Sequence, residues 1–172
     1  MSALWIGFLS GFFASLVFFI LIRLLPARWV RYQVSFGELS KEEGLGPQQW
    51  LLTIRLDPPK WKRILMDPLR ECLLVQVRLG RTDWLQSKWV EGDINILRLT
   101  ADAAMSVPAL VFTEQNGVIH IADSYPNYPI SQDGSYDIWV RIIRNVDNSV
   151  AGEVGIAVVK LNQRVTAAIA KR

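Results

Sequence analysis

The run Ala3–Ile22, ALWIGFLSGFFASLVFFILI, holds twenty residues without a charge and constrains this chain more than any other feature. A helix rising 1.5 Å per residue over that length spans a hydrocarbon core of roughly 30 Å. No basic stretch precedes the run and no small-residue cleavage motif follows it, so the sequence predicts an uncleaved transmembrane helix rather than a signal peptide. Trp5 near one end, and Trp29 with Tyr32 past the other, suit headgroup depth. Arg23, Arg28 and Arg31 follow the run, while no Lys or Arg precedes it. By the excess of positive charge on cytoplasmic flanks, these arginines and Trp5 and Trp29 are expected as interface anchors. The N-terminus is then outside, and the remaining chain lies at the cytoplasmic face of the cell membrane.

Small residues recur at every fourth position of the run: Ala3, Gly7, Gly11 and Ser15, with Ser10 and Ala14 widening the same side. Such a stripe lets two helix backbones approach closely, and it is the expected contact face for a homodimer.

The formal charge of +3 is local. Setting aside Arg23, Arg28 and Arg31, the remaining 16 Lys and Arg match the 16 Asp and Glu. The high isoelectric point is therefore no sign of nucleic-acid binding. Cys72 is the sole cysteine, which excludes an intramolecular disulfide. There is no Asn-x-Ser/Thr sequon, and both absences lean toward a cytosolic or bacterial setting.

After Pro26 the hydrophobic period changes to two. Val30, Tyr32, Val34 and Phe36 alternate with Arg31, Gln33 and Ser35. Trp50, Leu52, Ile54 and Leu56 form a second stripe, and Leu73, Val75, Val77 and Leu79 a third. Further strands are expected at Ile94–Leu99, Ala109–Thr113, Val118–Ala122, Tyr136–Arg144 and Val154–Leu161, with Thr100–Pro108 irregular between the first two. Asn116-Gly117 favours a tight hairpin, because both residues tolerate positive φ. About eight strands at this spacing predict a mainly β fold, an antiparallel β-sandwich or barrel. The expected organisation is residues 1–29 as transmembrane helix and basic flank, 30–162 as β-sandwich, and 163–172 as a short basic tail that could be helical.

Gly134-Ser135-Tyr136-Asp137-Ile138 resembles the Gly-x-Tyr-x-Cys stretch of immunoglobulin-like domains. In that family the tyrosine makes a corner contact at a strand start. Ile138 stands in the cysteine's place and Asp133 is one position off the usual spacing. The resemblance covers about a tenth of the domain, implies an immunoglobulin-like sandwich, and implies no function.

Candidate chemistry is sparse. His120 alternates with Ile119 and Ile121, which points it away from the core. Asp123 and Ser124 follow, but no nucleophile elbow or second histidine accompanies them. Cys72 lacks a thiol partner for metal or redox chemistry. Asp123 and Asp133 show no calcium-loop spacing, and no phosphate-cradling glycine loop is present. No cofactor is expected.

Two features suit binding instead. Lys60, Trp61, Lys62 and Arg63 lie beside Ile64 and Leu65, a mixture fit for an anionic bilayer or an exposed connection. If Tyr136, Ile138 and Val140 face the core, Trp139, Arg141 and Ile143 face outward, and Trp139 with Ile143 makes an apolar patch for a protein partner; the alternative is that both sheet faces are covered here, or that Trp139 faces inward. The sequence thus points to a single-pass, membrane-anchored, non-enzymatic interaction or scaffold module. A membrane-tethered ligand- or signal-sensing domain is the alternative.

Overall fold

A computed structural model describes residues 3–24, 31–42, 46–58, 72–92, 94–99, 104–121, 128–145 and 147–170, with helix side chains over 7–20. The chain is mainly β, in two antiparallel sheets. One helix, α1 (Ala3–Leu24), precedes them. The strands are β1 (Gln33–Glu42), β2 (Gln48–Asp57), β3 (Cys72–Leu79), β4 (Leu85–Ser87), β5 (Ile96–Arg98), β6 (Met105–Gln115), β7 (Val118–Ile121), β8 (Tyr128–Ile130), β9 (Gly134–Arg144), β10 (Val150–Leu161) and β11 (Arg164–Ile169).

The expected transmembrane helix is corrected. Among the described residues, no helix is long and apolar enough to cross a membrane. Side chains of α1 are described over fourteen residues, 7–20. All fourteen are exposed, Phe8 at 67% and Phe19 at 60%, and none belongs to the core cluster.

One sheet has the order β1-β2-β6-β7-β8, and the other β11-β10-β9-β3-β4, with β5 also on β3. Period-two patterning explains the inner faces. Leu52, Ile54 and Leu56 of β2 and Val107, Ala109 and Val111 of β6 bury one side of the core. Leu73, Val75 and Val77 of β3, Ile138, Val140 and Ile142 of β9, and Ile156 and Val158 of β10 close the other. The strand order departs from the immunoglobulin pattern. There the strand beside the second one pairs with a strand that precedes it in sequence. Here the outer neighbours of β6 are β7 and β8, which follow it. The expected corner contact is nonetheless made, Tyr136 donating its hydroxyl hydrogen to the Gln132 carbonyl at 2.9 Å.

Two short stretches differ from expectation. Residues 105–108 are strand rather than irregular, because Met105 and Val107 pair with Leu56 and Ile54. Arg164–Ile169 is an edge strand rather than a helix, since Val165, Ala167 and Ile169 alternate onto the core. Its turn, Asn162-Gln163, has φ of 47° and 65°, matching the 52° and 73° of Asn116-Gly117.

The sheets are also linked directly, from the β4 edge of one to the central β6 of the other. β4 pairs with β3, and the next residues cross to β6. The Leu110 amide donates to the Lys88 carbonyl and the Val90 amide to the Pro108 carbonyl, both at 3.0 Å. Trp89 lies between, fully buried, with its indole N–H on the Leu73 carbonyl at 3.2 Å.

Candidate binding face

The expected site residues fall in different places. Around Gly7 and Gly11 nothing lies within 4 Å of an added Cβ. The hydroxyls of Ser10 and Ser15 donate to the Gly7 and Gly11 carbonyls of their own helix. The side chains of Ala3, Trp5 and Arg23 are outside the described set, as are residues Arg28, Trp29, Lys60, Trp61, Lys62 and Arg63. Arg31 turns to the domain: its guanidinium meets Asp147 at 2.8 Å and the Ser149 hydroxyl at 3.2 Å. Arg144 holds the neighbouring Tyr32 carbonyl at 3.1 Å.

Trp139 does lie on the outer face, half-buried, between Val140 and Ile138 of the core. Its register partners are Arg78 on β3 and Gly155 on β10. Because Gly155 has no side chain, the indole leans over it; an added Cβ would meet the ring at 3.4 Å. Outward positions continue along β10 as Ala157, Val159 and Leu161, with Ala168 of β11 beside Ala157. Val159 is 45% and Leu161 61% exposed, so this small-residue strip ends in two open aliphatic side chains. Ile143, expected outward, is buried between Leu74 and Val150 on the same face.

Next to this strip is an aromatic–cation group that the sequence did not reveal. Trp84, just before β4, has the guanidinium carbons of Arg78 and Arg141 at 4.4 and 4.0 Å from its ring centre. Arg78 also lies 5.9 Å from the Trp139 ring. Arg141 donates to the Gln76 side-chain oxygen at 2.9 Å, and Arg78 is 3.8 Å from Glu153.

At one end of the sandwich the Asn116-Gly117 and Asn162-Gln163 turns touch. They border an open polar cleft of about 440 Å³ lined by Gln48, Glu114, Gln115 and Gln163 among others. Glu114 is buried against Lys41 and the Trp50 indole N–H, each at 3.5 Å. Lys160 is buried too, on the Asp133 carboxylate at 2.8 Å and the Ser131 carbonyl at 2.9 Å.

His120 sits half-buried on β7 between Ile119 and Ile121. Among the described residues no group of three or more His, Cys, Asp or Glu could hold a metal ion. No family model, curated protein or solved structure matches this chain.

Proposed function

We propose that this chain is a non-enzymatic interaction module that docks a protein partner on the outer face of the β11-β10-β9-β3-β4 sheet. The observation that carries this reading is the strip from Trp139 across Gly155 and Ala157 to Val159 and Leu161, apolar along β10 and bordered by Asp137, Ser135 and Thr166, on a sheet whose other side is core. Small side chains let a partner's backbone approach, and the aromatic and aliphatic ends supply buried area. The test is crosslinking capture with the full-length protein in its own host cells, comparing wild type with Val159→Asp/Leu161→Asp. Both positions point away from the core, so circular dichroism should be unchanged. Captured proteins should fall at least about tenfold, the effect of losing roughly 1.4 kcal/mol of contact. An identical captured set overturns the reading.

The sensing alternative has one observation in its favour, the cleft bordered by Gln48, Glu114 and Gln163. Its amide and carboxylate lining suits a small polar ligand more than an apolar one. A Gln163→Trp variant that fills the cleft and still responds as wild type in cells would remove this reading.

A further inference from the structure

The Trp84 group adds a charge requirement to the docking face, and it rests on the reading of that face as a protein-binding surface. Gln76 stands opposite Arg141, and Arg78 opposite Trp139. Glu153 stands opposite Arg141 on the other side. The side chains therefore share one face across three adjoining strands, with Trp84 folded over them. Two guanidinium groups use one indole ring, at 4.4 and 4.0 Å. Stacking covers the flat faces of a guanidinium and leaves its in-plane N–H edges for an anion.

The neutralisation of this pair is incomplete. Among the described residues, Glu153 is the one carboxylate within ion-pairing distance, and its 3.8 Å separation from Arg78 is too long for a hydrogen bond. Arg141 has the neutral Gln76 oxygen instead. The Nε of Arg78 is shielded from solvent and meets no acceptor among the described residues. Burial, with Arg78 adding to it, lowers the Arg141 pKa from the usual guanidinium range, while Glu153 opposes the shift. The solvent-shielded Arg78 Nε lies beyond an incoming group, whereas an added negative charge at the remaining guanidinium edges completes the neutralisation.

We propose that Arg78 and Arg141, set on Trp84, form a carboxylate-reading subsite that takes an Asp or Glu side chain from an extended, acidic segment of a protein partner. A free oxyanion, another source of negative charge, has no use for the adjoining strip. An extended peptide does, since it can lay apolar side chains over Ala157 and Val159, beside the Trp139 ring that covers Gly155, while a neighbouring carboxylate reaches the guanidinium pair. A carboxylate meeting two preset guanidinium edges gains charge-assisted hydrogen bonds without first ordering the arginines.

The experiment is fluorescence anisotropy of a labelled octapeptide of alternating glutamate and leucine, titrated with the full chain in a non-ionic detergent. An alternating glutamine–leucine octapeptide is the control. The glutamate peptide should bind at least about tenfold more tightly than the control, with the preference weakening as salt rises. Arg78→Gln/Arg141→Gln should abolish the preference. Glu153→Gln removes the internal competitor and should tighten binding about threefold; a merely structural ion pair would give no such gain. Should the arginine variant fail to fold, the Glu153→Gln result alone decides. Equal binding of the two peptides, a preference surviving in the double arginine variant, or no tightening in Glu153→Gln overturns the proposal. So does displacement of the label from its site by inorganic phosphate with no glutamate preference. If the subsite fails while Val159→Asp/Leu161→Asp still abolishes capture, the docking face stands without its charge requirement.

Discussion

Gly117 meets two separate demands. Its φ of +73° lies in the left-handed region, and an added Cβ would sit 3.1 Å from Cβ and Cγ of Gln163 in the opposing hairpin. Gly117→Ala should therefore cost ~1–2 kcal/mol from backbone strain alone, read as a shift in the urea midpoint. Gly117→Asn tolerates the dihedral but keeps the crowding against Gln163, so any loss it shows measures the contact. Only the first demand was legible, from the Asn-Gly pair; the second depends on where another hairpin tip arrives. Asp147 offers a pH test. Hydrogen bonding from the Ser149 hydroxyl, then from its amide and from Arg31, lowers the Asp147 pKa from 3.8 to about 2. A carboxyl group depressed on folding contributes stability that is complete above the unfolded value and is lost as pH falls through the folded one. The stability gap between wild type and Asp147→Asn should thus be full above about pH 4 and close toward pH 2, in thermal melts across that range. Asp133 is lowered by its hydrogen bonds from Lys160 and from the Asn162 amide, so its contribution fades on acidification in the same direction.

Among the elements, long strands with period-two patterning were legible, as were the short β5 and β7, while β4 and β8 were not. β2, β3, β9 and β10 each carry four or more apolar residues at period two. β4 and β8 span three residues each, too few for a period to declare itself, whereas β5 falls within the expected Ile94–Leu99. β11 was misread because Thr166-Ala167-Ala168 suits a helix as well as a strand, and Asn162-Gln163 is a weaker turn signal than Asn-Gly. The helix was legible as a helix, but the inference that it crosses a membrane is overturned over the described residues. Trp89 belongs to no named strand, yet it joins two sheets through its backbone and fills the core between them. Trp89→Phe leaves the buried Leu73 carbonyl without its indole donor. It should lower stability by about 1–3 kcal/mol before any cavity is counted, measurable by chemical denaturation.

At the scale of the molecule, the β core is complete without α1, whose described side chains are all exposed. Removing residues 1–29 should leave the melting temperature of the remainder within about 2 °C, a change below ~1 kcal/mol for a domain of this size. A larger fall would mean that the helix contributes to the fold through contacts beyond the core cluster. The candidate face was half legible. Trp139 could be placed outward by parity along its own strand. Its company of Arg78, Trp84 and Arg141 could not, because that grouping depends on the register of β3 against β9, and a single sequence does not state register between strands.

The Lys88–Val90 crossing carries a consequence for motion. Opening either sheet at this point breaks hydrogen bonds that belong to the other, so neither can fluctuate open by itself. The amide protons of Leu110 and Val90 should be among the slowest to exchange with deuterium, released through the same cooperative event as the centre of β9 rather than by local breathing. The proposed docking face, on the back of such a sheet, starts from one rigid shape, which spares any partner the cost of ordering it.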